Sequence, residues 1–290
     1  MLVTSALISG LALGSMYGLL ALGFYITYAV SSTVNFAQGS SMMLGAVFAY
    51  TFAVRLGWPL IPAALIALML CALYGIVVER VAVRPFARRG SSAWLMATVA
   101  LGIVADNTVL FTFGKEPRGF TLVWAQGSVQ LAGLNISVLQ IAIPVVGLAL
   151  AAVLHLFSKR TKYGKAMLAV VQNADAARLM GINVPFAVAL AYAASTLLAG
   201  VAGIMIAPLF NVHSDMGTVF GLKAFAVAIL GGITSAWGVM LAGLIFGLTE
   251  SLITGLLGSG YTQILSFALV IAALALMPNG LFGRAEVKKV

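Results

Sequence analysis

No charged residue occurs before Arg55, and the stretches 90–105, 119–154, 224–249 and the interior of 179–214 are likewise free of Asp, Glu, Lys and Arg. Uncharged apolar runs of this kind accommodate helices of about 20 residues, the length that crosses a hydrocarbon core of about 30 Å. The alternating pattern of a β-barrel is absent, so the spans are expected as helices, which satisfy their own backbone hydrogen bonds in lipid. Composition agrees. The chain is 62% hydrophobic and 8% charged, where a soluble domain carries roughly 25% charged residues. The fold class expected is therefore an all-α polytopic membrane protein.

Spans are predicted at about 5–29, 36–54, 59–79, 92–113, 137–157, 185–208, 221–249 and 260–277, about eight in all. The first lacks a basic region ahead of its apolar run and reads as a span instead of a cleaved signal peptide. Two places look broken or re-entrant: 31–39, and 231–235 at Gly231-Gly232. Lys and Arg concentrate in 80–89, in 159–178 and in the tail (Arg284, Lys288, Lys289), which puts those segments in the cytoplasm and the N-terminus outside. Eight plain crossings would leave the basic tail outside. The break at 231–232 is expected to resolve this, with 221–231 entering from outside and 236–256 returning.

The net charge of +9 is explained by these cytoplasmic loops, and no nucleic acid is expected as a partner. Cys71 is the single cysteine, so neither a disulfide framework nor a metal cluster is expected from it. No cofactor, metal site or catalytic constellation emerges, and the chain is not read as an enzyme.

Gly10, Gly14 and Gly18 recur at four-residue spacing, as do Gly243 and Gly247. Small-xxx-small faces let helices approach closely, either within the bundle or at a dimer seam. Asn35, Gln38 and Ser40 form a polar notch between apolar spans. It reads as a helix cap with its turn, or as a helix N-terminus facing a permeation path. Candidate path residues are thus Asn35, Gln38, Ser40, Gly231, Gly232 and Glu250. Asp106 and Glu250 are expected to pair structurally near helix ends, and Lys223 to snorkel at the outer surface.

The segment 158–184 is the one long polar stretch. Lys159, Arg160, Lys162 and Lys165 open it, and a short helix is predicted from Asn173 to Met180. Asn173 caps this helix, Asp175 sits favourably in its first turn and can pair with Arg178, and Gly181 ends it. Ala176, Ala177, Leu179 and Met180 give it an apolar face, suited to the membrane surface or to a groove in a cytosolic protein. No G-x-x-x-x-G-K-[ST] is present, so any ATPase must be another chain.

The segments VNFAQGSSMMLGAVFAY (34–50), ERVAVRPF (79–86), TKYGKAMLAVVQNADAARLMGIN (161–183), GLKAFAVAILGGITSAWGVMLAGLIFGLTES (221–251) and PNGLFG (278–283) together resemble the branched-chain amino acid ABC transporter permeases, the shorter of two membrane subunits. The resemblance covers essentially the whole chain and implies one transmembrane permease domain over 1–290. It implies a related second permease forming a heterodimer, two cytosolic ATP-binding subunits, a periplasmic amino-acid-binding protein and a bacterial inner-membrane location, surrounded by membrane lipid. It further implies that 158–184 is a cytoplasmic coupling loop. Asp175-Ala176-Ala177 with Gly181 is similar to the family's EAA…G segment, which makes Asp175, Ala176, Ala177, Arg178, Leu179 and Gly181 the residues expected to engage the ATPase. The function so implied is ATP-driven import of branched-chain or similar small hydrophobic amino acids. An ion-coupled secondary transporter is the alternative.

Overall fold

The computed structural model describes residues 2–121, 127–131, 134–277 and 280–282. Its helices are α1 (Leu2–Ser31), α2 (Gln38–Tyr50), α3 (Leu60–Val78), α4 (Arg84–Ala87), α5 (Trp94–Phe113), α6 (Val138–Arg160), α7 (Lys162–Gln172), α8 (Ala174–Leu179), α9 (Val184–Phe210), α10 (Met216–Gly231), α11 (Ala236–Leu257) and α12 (Ser259–Leu276). Seven of these, with α3 and α4 joined through a π-helical turn, are long and apolar enough to cross a membrane. The chain is a polytopic all-α membrane protein, as its uncharged runs predict. A short antiparallel hairpin, β1 (Ser128–Leu131) and β2 (Leu134–Ser137), and an isolated antiparallel bridge between Arg118 and Val212 are the departures among the described residues. The hairpin leads into α6, where the Ser137 hydroxyl accepts from Leu139 N–H and Gln140 reaches back to the Ser137 N–H, an N-terminal capping box.

The centre of the bundle is α1, wrapped by α6, α9, α10 and α11. Association in lipid has little hydrophobic drive, so close backbone approach and packing must hold it. The glycine spacings supply that approach. A Cβ on Gly14 would lie 2.7 Å from the Leu244 Cα, and one on Gly243 would lie 2.6 Å from the Gly18 Cα. Of the two roles open to these glycines, they make an internal α1–α11 seam.

Both predicted breaks are present. Residues 32–37 leave the helical path at Ser32, which is exposed with φ +53°, and Thr33, Val34, Asn35 and Ala37 are buried in the bundle before α2 starts at Gln38. Non-helical backbone at membrane depth is tolerated there because protein surrounds it. The span predicted over 221–249 is two helices, α10 and α11, parted at Gly232 (φ +79°) and restarted by the Ser235 side chain, which accepts from Gly238 N–H. α12 brings the chain back to this break, where Leu281 N–H donates to Leu230 O at 2.6 Å. Trp237 at the start of α11 packs on His155 near the end of α6, so the break lies on the same face as α7 and α8. The remainder of the basic tail, Arg284, Lys288 and Lys289, lies outside the described residues.

Candidate functional site

The segment 158–184 folds as two helices. Sequence reading found the shorter, α8, and missed α7, whose signals are Thr161 and the apolar period of Met167 and Val170. The Thr161 hydroxyl accepts from Gly164 N–H at 2.9 Å, and Val170 is buried against the bundle. α8 follows at once. Asn173 Oδ1 accepts from Asp175 N–H at 3.1 Å and Ala176 N–H at 3.0 Å, and Arg178 donates to Asp175 Oδ1 at 3.1 Å. Gly181 (φ +81°) donates to Arg178 O while Ile182 donates to Ala177 O, the paired bonds of a Schellman stop.

The apolar residues of α8 do not form one face. Ala177 is buried and anchors the helix, whereas Leu179 is 89% and Met180 83% exposed. Six residues are too few to hold a helix alone. Ala177 and the caps hold this one, and Leu179 and Met180 are left pointing away from the protein. Nearby, Glu79 and Arg84 form a two-toothed ion pair at 2.8 and 2.9 Å, and Arg84 also donates to Pro185 O at the start of α9. This ties the basic end of the α3–α4 helix, which the sequence reading takes as a loop over 80–89, to the α9 end of the same polar segment.

A second site lies at mid-depth. α2 and α10 begin side by side: Gly39 and Gly217 meet backbone to backbone, and a Cβ on Gly221 would fall 2.9 Å from the Gly39 Cα. The first turns of both helices, with α5, enclose a pocket of about 170 Å³. Phe24, Phe36 and Phe225 form its apolar wall, and Ser40, Thr218 and Asp106 are its polar groups. The free N–H groups and positive dipole ends of two short helices therefore flank it. Asp106 sits seven residues before the end of α5, about 10 Å along the helix axis at 1.5 Å per residue.

The six path candidates do not converge here. Ser40 alone lines the pocket. Asn35 Oδ1 accepts from Ala37 N–H, making the turn that precedes α2. Gln38 is consumed in packing: its amide donates to Ser195 O and Leu20 O, and its Oε1 accepts from the Ser195 hydroxyl. Gly231 and Gly232 form the break against Gly238 and Gly280, away from the pocket. Glu250 lies inside the bundle, 2.5 Å from Lys223 Nζ, with both side chains under a tenth exposed. Lys223 therefore does not snorkel to the surface. It turns inward to Glu250 and lies 6.0 Å from the centre of the Tyr17 ring. Asp106 is likewise without the expected ion-pair partner: it lies against the Ser40 hydroxyl, and its Oδ1 is buried without a hydrogen-bond partner.

Residues 6–274 match the family model described as branched-chain amino acid transport system, permease component. The chain is 32% identical to the high-affinity branched-chain amino acid transport system permease protein LivH of Escherichia coli, over 97% of this chain and 96% of that protein. It is 33% identical to LivH of Salmonella typhimurium over the same shares. With BraD of Pseudomonas aeruginosa, the permease protein of a system of the same description, identity is 31% over 98% of this chain and 97% of the relative.

Proposed function

The chain belongs to the branched-chain amino acid transport system permease family, and on that premise we propose that it is one membrane subunit of an ATP-driven importer of branched-chain amino acids in a bacterial inner membrane. It pairs with a related second permease. Two cytosolic ATP-binding subunits complete the transporter, one of them docking on the α7–α8 face of this chain, and a periplasmic amino-acid-binding protein delivers solute to the opposite face. Closure of the ATPases on ATP moves α8, and the bundle alternates between outward and inward access with no covalent chemistry on the solute.

The observation that carries this reading is α8. It is a capped, anchored helix that presents Leu179 and Met180 outward, on the face where 80–89 and 159–178 gather nine of the sixteen basic residues. Exposed apolar anchors on an ordered helix are the form in which helix-in-groove docking is made. The pocket between α2, α5 and α10 supports a path for the solute. It is small and apolar, opens beside the exposed Ile103 and Leu222, and is flanked by two helix N-termini. The ion-coupled alternative has less behind it, because one intramembrane carboxylate, Glu250, is already paired with Lys223 and the family is one of transport-system permease components.

The test is co-expression with the ATP-binding subunits and second permease, followed by purification on a tag carried by this chain alone. The ATPases are expected to co-purify, and leucine uptake into vesicles of the complex is expected to require hydrolysable ATP and the binding protein. Uptake that persists after ATP depletion and follows an ion gradient would overturn the reading.

A further inference from the structure

We propose that Asp106 is the counter-charge for the ammonium group of the transported amino acid, and that the pocket between α2, α5 and α10 is a solute site in the membrane. An ionised carboxylate at membrane depth is costly unless something pairs with it, and such residues mark substrate or ion pathways. Two other carboxylates in the spanning helices obey the first half of this rule, Glu250 by pairing with Lys223 and Glu79 by pairing with Arg84. Asp106 does not. Ser40 is the polar side chain against it, the Asp106 Oδ1 is buried without a partner, the residue as a whole is half-buried, and no Lys, Arg or His lines the pocket. The group that fits is a cation brought from outside.

The remaining wall says what the cation is attached to. Phe24 meets Phe225 edge to face with ring centres 5.6 Å apart, and Phe36 is tilted against Phe225 at 5.0 Å. An aliphatic side chain is matched by such a wall, whereas a polar one would lose its hydration there without compensation. Gly39, Gly217 and Gly221 let α2 and α10 meet at the pocket's edge, and Gly102 leaves room beside Ser40. A Cβ on Gly102 would come within 3.0 Å of the Ser40 hydroxyl. The volume of about 170 Å³ accommodates a small aliphatic amino acid. A positive ammonium, a short apolar body and small size are the properties selected.

This role rests on the importer reading, and the experiment separates the two. The complete transporter, with its partner subunits and binding protein, is reconstituted in proteoliposomes, and leucine uptake and ATP hydrolysis are both read. Asp106→Asn, which keeps shape and removes charge, is expected to lower uptake roughly 10- to 100-fold, the worth of a hydrogen bond to a charged group, with ATP hydrolysis retained. Asp106→Glu is expected to recover part of the uptake. In parallel, thermal protection of the purified complex is measured with leucine, with 3-methylbutylamine (leucine without its carboxylate) and with 4-methylpentanoate (leucine without its ammonium). Leucine and the amine are expected to protect the wild type but not Asp106→Asn, and the acid to protect neither. Uptake by Asp106→Asn within about twofold of wild type, or protection by the acid equal to that by leucine, overturns the assignment while leaving the importer reading intact. A wild-type complex that moves no amino acid overturns both.

Discussion

Lys223 and Glu250 show how one contact changes the meaning of two residues. Each alone is a charged side chain in an apolar helix, and an isolated charge at that depth is expensive. Placed 2.5 Å apart across α10 and α11, they neutralise each other, and the Tyr17 ring beside Lys223 adds a weak cation–π attraction. Removing one partner leaves the other buried and unpaired. Lys223→Met and Glu250→Gln are each expected to destabilise the protein by about 3–5 kcal/mol, whereas Lys223→Met with Glu250→Leu together should recover most of that loss. Thermal unfolding in detergent measures this. Two single variants as stable as the wild type would mean that the pair contributes nothing to holding α10 on α11. The sequence shows both residues and their charge. It does not show that a separation of 27 residues closes into a contact, because that depends on α10 and α11 folding back at Gly232.

At the scale of elements, the glycine spacing in α1 and α11 was legible as a packing face, since its periodicity is a property of one helix. Which helix it meets is not. Gly14→Leu is expected to force α1 and α11 apart, because its Cβ alone would fall 2.7 Å from backbone. Overpacking of this kind costs typically 1–3 kcal/mol, and backbone cannot rotate aside as a side chain can, so a sharp fall in yield of folded protein is predicted. Wild-type yield and melting temperature would show that the seam yields easily. α8 tests differently. Leu179 and Met180 touch almost nothing in the chain, so Leu179→Ser with Met180→Ser should leave its thermal stability unchanged. The same pair is expected to weaken ATPase co-purification by about tenfold or more, from roughly 1.5–3 kcal/mol for each buried apolar side chain. Full retention of the ATPases by this variant would remove α8 from the docking surface. The caps of α8, Asn173 and Gly181, were readable in advance because capping is local chemistry. α7 is hard to see in the sequence because it starts directly after α6, opens with Lys162 and Lys165, and carries its apolar residues, Ala166 to Val171, as an unbroken run in which helical spacing does not show.

For the whole molecule, the charge pattern and the helix directions agree once the 221–249 region is two helices. The proposed orientation has a direct check. Cys71, the native cysteine, is fully buried, so introduced cysteines report against a silent background. Gly57→Cys and Gly260→Cys are expected to react with an impermeant thiol reagent in intact cells, and Lys165→Cys and Gly181→Cys only after permeabilisation. The reverse pattern would invert the topology and put the ATPase face outside. The sequence by itself determined that this chain lives in lipid, that it is helical, where most spans lie, which loops carry the positive charge, and that a short capped helix projects from one of them. These follow from burial of apolar runs, backbone satisfaction in hydrocarbon and capping, all of which act over a few residues. Only the tertiary structure decided that Gln38 is spent on Ser195, that Lys223 turns inward, and that two helices begin against each other at Gly39 and Gly217. The same packing brought Asp106 from α5 to the edge of their pocket. Those outcomes depend on which helices become neighbours, a matter of packing between segments far apart in the chain that no local pattern encodes.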